Sequence, residues 1–219
     1  MAPLTPADDD DDDDLLPPVL LGRLMQRGNM RQFAAGAIIL NEGDDTRSLY
    51  IVLDGRVKLY AFGDHGREFV MSEAGPGEYF GELALDGGNR SLSVQTLEPT
   101  RCCIVPGDAM RQFLADEPDF GLHLTRKLMR LVRRLTDQLK SLALEDVYGR
   151  VVRLLTEMSE VDGERHVLHH KLTQQDIADR VGSSREMVNR IMKELSVGGY
   201  VSTDAAQHLV IHRKLPARR

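Results

Sequence analysis

The chain has 219 residues and a net charge of −6 at pH 7, a length that allows two compact domains. No apolar run approaches the roughly 18 residues that a membrane helix needs, and the N-terminus lacks the basic and apolar layout of a signal peptide. We therefore expect a cytoplasmic protein with no membrane segment. Cys102 and Cys103 are adjacent in an apolar run, so a C-x-x-C pair and a four-cysteine metal site are excluded and both thiols are expected in the core.

The charges are unevenly distributed along the chain. Residues 165–219 contain 10 Lys or Arg against 5 Asp or Glu, whereas residues 1–110 contain 9 against 19. A basic surface is needed for contact with nucleic-acid phosphates. Such contact is therefore expected at the C-terminal part and not at the N-terminal part.

Asp8–Asp14 is an unbroken run of seven aspartates within a proline-rich leader. Like charges at this density repel one another and favour a solvated chain. We expect residues 1–14 to be a disordered acidic tail. A cation site is the alternative, but the run lacks the glycine turn and spaced ligands of a metal-binding loop.

From Gly36 to about Val105 the chain shows short apolar runs that are separated by glycine-containing turns, a pattern typical of a small antiparallel barrel or roll. The runs are 37–40, 49–53, 57–61, 69–71 and 93–97.

The segment 77–94 combines flexible glycines with one carboxylate and one guanidinium. Arg90 can donate two hydrogen bonds to a phosphate, Ser91 can add a hydroxyl, and Glu82 can accept from a sugar hydroxyl. The alternative is a structural salt bridge between Glu82 and Arg90 beside a glycine-rich hairpin. The residue types alone favour neither interpretation.

A long helix is predicted over 119–144, after Pro118. Leucines recur there at spacings of four and three and resume after a slip of one residue, at Leu124, Leu128, Leu131, Leu135, Leu139 and Leu142. Such a seam favours pairing with an identical helix. The alternative is a helix that packs on its own domain.

Residues 172–195 predict two short helices around a glycine turn. Thr173 can cap the first helix, Gly182 suits its end, and Ser183 or Ser184 can cap the second. Two short strand-like runs follow at 200–204 and 208–212, in the manner of a wing. Together they predict a winged helix-turn-helix.

The second of these helices has an apolar face and a polar face. Arginine can donate to guanine and glutamate can accept from cytosine, so Arg185, Glu186 and Arg190 are candidate base readers. The alternative is a solvated helix with a Glu186 to Arg190 ion pair. The full set of candidate DNA contacts is Thr173, Gln174, Ser184, Arg185, Glu186, Asn189, Arg190 and Lys193.

Three histidines, His166, His169 and His170, could suggest a metal site, but no cysteine or carboxylate lies at ligand spacing. We expect them in a solvated loop and predict no metal site. No paired carboxylates or Ser-His-Asp set share a motif, so no catalytic residues and no enzyme activity are expected.

Two of these motifs resemble those of one family. The run 81–85 followed by Arg90 and Ser91 is similar to the phosphate-binding cassette of cyclic-nucleotide-binding domains. With the helix 184–190 and the order of the segments, the chain resembles the catabolite activator (CRP/FNR) family of bacterial transcription regulators. The resemblance implies an α+β fold with a jelly-roll-like antiparallel β-roll sensor domain (15–116), a dimerisation helix (117–145) and a winged helix-turn-helix domain (146–219).

The resemblance also implies ligand contacts. Glu82 and the Gly81 backbone would bind a ribose hydroxyl beside Leu83, and Arg90 with Ser91 would bind a cyclic phosphate. Cyclic-AMP responders of the family place a Thr-Ser pair on the long helix, where this chain has Leu135 and Thr136. The segment between Glu82 and Arg90 is also shorter than in the best-known cyclic-AMP receptor.

The implied effector is a cyclic nucleotide, either cyclic AMP or cyclic di-GMP, with no prosthetic group. The implied partners are double-stranded DNA with a TGTGA-like palindrome, a second copy of the chain and RNA polymerase. The alternative function is a constitutive DNA-binding repressor whose β-roll binds no nucleotide.

Overall fold

The computed structural model describes residues 15–63, 68–162, 165–168, 171–204 and 208–216. The predicted acidic tail and two of the three histidines, His169 and His170, lie outside the described residues. The chain divides into two compact units. The first is Met1–Ala61 with Val70–Arg133, and the second is Phe62–Phe69 with Arg134–Arg219.

Two antiparallel four-stranded sheets form the first unit, with the orders β1-β8-β3-β6 and β2-β7-β4-β5. The predicted antiparallel roll is therefore confirmed. The strands are β1 Asn29–Phe33, β2 Ile38–Leu40, β3 Leu49–Asp54, β4 Val57–Phe62, β5 Glu68–Ala74, β6 Tyr79–Phe80, β7 Ser93–Thr96 and β8 Thr100–Val105.

Successive residues of the first sheet enter two different apolar clusters, because side chains alternate across a strand. Val52 and Cys102 belong to a cluster that contains residues of both sheets. Ile51 and Cys103 belong to a second cluster, which helices cover. Both thiols are buried as expected, and burial raises the pKa of Cys102 to about 11.

Two helices that the sequence patterns did not indicate cover the second cluster: α1, Pro18–Met25, and α2, Gly107–Asp116. Each has ten residues or fewer, too few for a clear periodicity. In this cluster Phe113 packs edge-on against Phe120, with ring centroids 5.3 Å apart.

The long helix α3 extends over Pro118–Leu144, as predicted. Its leucine seam is only partly available to a partner helix, because Leu124 packs against the helix-covered cluster of its own unit. Met129 and Val132 are instead 57% and 62% exposed. At Leu124 the alternative of a helix that packs on its own domain therefore holds, and the rest of the seam stays a prediction.

The second unit has a helix-turn-helix and a four-stranded antiparallel sheet of order β11-β12-β10-β9. The predicted wing is present as β11 and β12, and the hairpin of β9 and β10 extends it. The elements are α4 Val147–Glu157, β9 Glu160–Asp162, β10 Arg165–Leu168, α5 Gln174–Val181, α6 Arg185–Val197, β11 Val201–Thr203 and β12 Leu209–Ile211.

His166 is exposed in the hairpin of β9 and β10, as expected for a polar hairpin, but it lies in strand β10 and not in a loop, and it pairs in register with Ile211. Among the described residues, no group of three or more His, Cys, Asp or Glu side chains could hold a metal ion. In the part of the chain that the structure describes, no helix is both long enough and apolar enough to span a membrane.

Candidate functional site

The cassette begins at Gly81, which follows strand β6 in the left-handed backbone region with φ of 89°. A Cβ atom there would lie 2.6 Å from Nη1 of Arg90 and 3.0 Å from the Ser48 carbonyl oxygen. Both the backbone conformation and the close approach require glycine. A short 3-10 helix, Glu82–Asp86, follows and ends at Gly87. The glycine-rich hairpin of the alternative interpretation is thus a helical turn.

The guanidinium of Arg90 is buried and held by two segments of the chain. Its Nε donates to Thr46 Oγ1 at 2.9 Å, Nη1 to the Gly81 carbonyl at 2.9 Å, and Nη2 to the Ser48 carbonyl at 2.7 Å. Arg90 itself is only 4% exposed. Three of its five N–H groups are therefore directed at neutral oxygen atoms.

Burial lowers the pKa of Arg90 because the charged form loses hydration, while Tyr50, Asp44 and Glu82 oppose that shift. Among the contacts of the described residues, Arg90 forms no ion pair with either carboxylate. The alternative of a structural Glu82 to Arg90 salt bridge is therefore wrong. The site is a buried positive charge that neutral acceptors hold in place.

The loop between β2 and β3 supplies two of the three acceptors for Arg90, and backbone hydrogen bonds fix this loop to the cassette. The Gly43 amide donates to the Arg90 carbonyl at 2.8 Å, and the Arg90 amide donates to the Asp44 carbonyl at 2.9 Å. Sequence reasoning missed Thr46 and Ser48 in this role, because they lie more than 40 residues before Arg90 and share no motif with it.

Tyr50 forms an aromatic wall beside the guanidinium. Its ring stacks on Phe80 with centroids 5.1 Å apart and an interplanar angle of 9°. The Arg90 guanidinium carbon lies 5.8 Å from the Tyr50 ring centroid, within the range of a cation–π interaction. Burial raises the pKa of the Tyr50 hydroxyl.

The other predicted ligand residues differ in exposure. Glu82 is half-buried, Leu83 is 46% exposed, and Ser91 is exposed. Leu135 and Thr136 are exposed on α3 and belong to the second unit, whereas the cassette belongs to the first.

The first helix of the helix-turn-helix, α5, begins with a complete capping box. Thr173 Oγ1 accepts from the Asp176 amide at 3.1 Å, and the Thr173 amide donates to the Asp176 carboxylate at 2.7 Å. Gln174, the first helical residue, is half-exposed. Gly182 ends the helix with φ of 62°, as predicted.

The second helix, α6, begins after Ser184, which caps the Met187 amide at 3.3 Å. Val188, Ile191 and Leu195 are buried in the apolar core of this unit. The six predicted DNA contacts at and after the cap are all exposed: Ser184, Arg185, Glu186, Asn189, Arg190 and Lys193.

The alternative of a solvated helix requires an ion pair between Glu186 and Arg190. The contacts of the described residues include no such pair. Hydrogen bonds to its own backbone amide and to the Ser184 hydroxyl lower the pKa of Glu186, so it is ionised at the helix N-terminus. Arg190 places Nη2 2.8 Å from the Met187 sulfur. Both side chains remain on the outer face of α6.

Comparison with known proteins agrees with this architecture. Residues 30–117 match the model of the cyclic nucleotide-binding domain, and residues 149–215 match the Crp-like helix-turn-helix domain. The cyclic-AMP-activated CRP-like global transcriptional regulator of Mycobacterium tuberculosis is 33% identical over 85% of this chain and 86% of its own length. The chain belongs to the CRP/FNR family.

One further relative supports this membership, and one solved structure shares the fold. The cyclic-AMP-activated regulator CRP of Haemophilus influenzae is 31% identical over 76% of this chain and 77% of its own length. The solved structure of the cyclic-di-GMP-responsive global regulator CLP of Xanthomonas campestris covers 90% of this chain and all of its own, with a TM-score of 0.81 and 23% identity. The relatives are transcription regulators and not enzymes.

Thr46→Val tests the clamp on Arg90 because it keeps the side-chain volume and removes the acceptor of the Nε hydrogen bond. We expect the first unit to lose about 1–2 kcal/mol of unfolding free energy, since a charged donor loses its partner. Urea denaturation measures this loss. Thr46→Ser should restore the native stability, and an unchanged Thr46→Val midpoint would show that the bond contributes nothing.

Proposed function

We propose that this family member is a homodimeric transcription regulator that a cyclic nucleotide controls through the Arg90 site. The observation that carries the proposal is the buried guanidinium, which neutral acceptors hold. Among the described residues, three of the five N–H groups of Arg90 have an acceptor, and two can donate to a further one. A phosphate would supply the opposite charge that a buried cation needs.

The neighbouring residues fit the remaining parts of a nucleotide. Glu82 lies near enough to Arg90 for its charge to oppose the lowering of the Arg90 pKa, so phosphate and sugar contacts can share one site. Ser91 can add a hydroxyl to the phosphate. Relatives in this family include a cyclic-AMP-activated regulator and a cyclic-di-GMP-responsive one, and both nucleotides are candidates here.

Calorimetric titration of the full-length protein with cyclic AMP and with cyclic di-GMP tests this function. We expect one of the two to bind, and Glu82→Gln and Arg90→Gln each to weaken it at least about tenfold, as loss of a charged hydrogen bond does. Glu82→Gln is the milder change because Glu82 is only half-buried. Arg101→Gln, an exposed arginine on β8, is the control.

The same titration separates the alternative function. If neither nucleotide binds, the result favours the alternative of a constitutive DNA-binding repressor with a structural cassette. If a nucleotide binds equally well to the native protein and to both cassette variants, the site lies elsewhere.

For DNA, we propose that the exposed face of α6 enters the major groove of a TGTGA-like half-site, and that a dimer reads two such half-sites one helical turn apart. Arg185, Glu186 and Arg190 would contact bases. Thr173 and Gln174, at the start of α5, would contact the backbone. Regulation would occur in the cytoplasm, with RNA polymerase as a further partner.

Arg185→Ala should remove discrimination at one base pair of the half-site. The expected loss is about 1–3 kcal/mol, because a bidentate contact to guanine is absent. Binding to TGTGA and to base-substituted half-sites, measured by fluorescence anisotropy, gives this value. Lys193→Ala is the comparison and should weaken all sites alike; equal discrimination by Arg185→Ala and the native protein would contradict the assignment.

The dimer would form along an exposed stripe on α3. Leu122, Met129, Val132 and Leu139 are all more than half exposed, at 51%, 57%, 62% and 66%. With Thr125 and Thr136 they fall at regular spacings of three and four, without the slip of the leucine seam. This regular heptad pattern fits a two-stranded coiled coil better than the leucines do.

Val132→Glu should convert the dimer to a monomer, because it places two carboxylates at an apolar seam. Sedimentation equilibrium measures the change. Val197→Glu is the matched control, since Val197 is an 82% exposed valine on α6 outside the stripe. A Val132→Glu protein that sediments as a dimer would exclude this stripe as the interface.

A further inference from the structure

A lysine is buried in the first unit, outside the residues of the proposed nucleotide site. Lys127 lies on α3 and is only 7% exposed. Lysine is rarely buried to this extent unless its charge is satisfied. Its Nζ donates a hydrogen bond to the Tyr79 carbonyl oxygen and lies 3.7 Å from the centroid of the Tyr79 ring. One residue of β6 therefore supplies both an acceptor and an aromatic face to the ammonium group.

Two further side chains of α3 pack against Tyr79, which is only 1% exposed. The Tyr79 ring centroid lies 5.9 Å from that of Phe120 and 5.7 Å from that of His123. Phe120, His123 and Lys127 are spaced by three and four residues and therefore share one face of the helix. Strand β6 has only two residues, Tyr79 and Phe80, at the edge of the first sheet. So short a strand has few backbone hydrogen bonds of its own, and α3 therefore contributes much of what holds it in place.

Strand β6 leads directly into the cassette. The Gly81 carbonyl accepts from Arg90, so the carbonyl that Lys127 holds is two residues before the one that Arg90 holds. Each residue has only two soft dihedral angles, so few backbone rotations can absorb a shift of one carbonyl before it reaches the other. Phe80 lies between the two carbonyls and stacks on Tyr50 beside the guanidinium. The two cations therefore hold the chain on either side of Phe80.

We propose that Lys127 is a positioning residue that fixes the cassette to α3, so that the Arg90 site and α3 move together. If β6 moved away from α3, a buried ammonium group would lose this acceptor and this ring, at the cost of leaving a charge poorly solvated. Met129 and Val132 of the exposed stripe follow Lys127 by two and five residues on the same helix. The link to an effector rests on the proposed function, whereas the fixing of the cassette does not.

Packing alone does not account for a lysine at this position. An apolar side chain of similar volume avoids the cost of burying a charge, and such replacements of buried charged groups are often neutral or stabilising. The ammonium group adds what an apolar contact cannot, a directed hydrogen bond to one backbone atom of β6.

Amide hydrogen exchange of the full-length protein without nucleotide tests the positioning. Lys127→Met removes the donor and keeps an unbranched side chain of similar length. We expect the amides of Gly87 and Arg90, whose hydrogen bonds lie in and beside the cassette, to exchange several-fold faster than in the native protein. Lys127→Arg keeps a cation and a donor and should restore most of the protection.

Leu24→Ala is the matched control, because it weakens the same helix-covered cluster from α1 and leaves the bond to Tyr79 in place. Urea denaturation of each variant gives its loss of stability, by which the exchange rates are corrected. After this correction, a purely structural role predicts equal exchange of the Gly87 and Arg90 amides in Lys127→Met and Leu24→Ala. That outcome, or native exchange rates in Lys127→Met, would overturn the proposal.

Sedimentation equilibrium with and without cyclic AMP or cyclic di-GMP tests the link from the cassette to the dimer. In the native protein, a bound nucleotide should change the dissociation constant of the dimer by about fivefold or more, and Lys127→Met should reduce this change. An equal change in the two proteins would contradict a link through Lys127. If neither nucleotide binds the native protein, the proposed function fails, and the exchange rates alone decide the role of Lys127.

Discussion

The first unit depends on one buried guanidinium. Removing the Arg90 charge from water is costly, and neutral oxygens from Thr46, Ser48 and Gly81 offset part of that cost. The same bonds join the loop between β2 and β3 to the cassette. Because the guanidinium is already oriented, an anionic ligand would gain a charged contact with little reorganisation, the condition that favours tight binding.

The position of this guanidinium follows from the sheet that supports it. Strand β3 begins at Leu49, directly after Ser48, and pairs with β6, which ends directly before Gly81. Register therefore brings the two carbonyls that accept from Arg90 to the same end of the first sheet. Because side chains alternate across the strand, Ile51 and Val52 are buried in clusters on opposite faces of the sheet. A slip of one residue would exchange the two faces, so this burial fixes the register.

Local patterns predicted most of the architecture, and non-local contacts account for what they missed. The roll, α3, the capping box at Thr173 and the exposed face of α6 all follow from signals that span a few residues. The acceptors of Arg90 could not be found this way, because Thr46 and Ser48 meet it only after the sheet has formed. Glu82 and Arg90 lie in one motif, which suggests a salt bridge between them. In the folded chain, however, Arg90 donates to neutral oxygen atoms that lie nearer to it.

Helix α3 shows why a periodic pattern needs burial to be interpreted. Leucine is equally suited to a domain core and to a helix interface, so the leucine spacing alone could not say which surface each leucine meets. Leu124 lies with Phe120 in the helix-covered cluster of the first unit, and this fixes the rotation of the helix. Met129 then occupies another face, because five residues on a helix of 3.6 residues per turn correspond to a rotation of about 140°. By setting that rotation, the helix-covered cluster determines which side chains of α3 remain exposed to a second subunit.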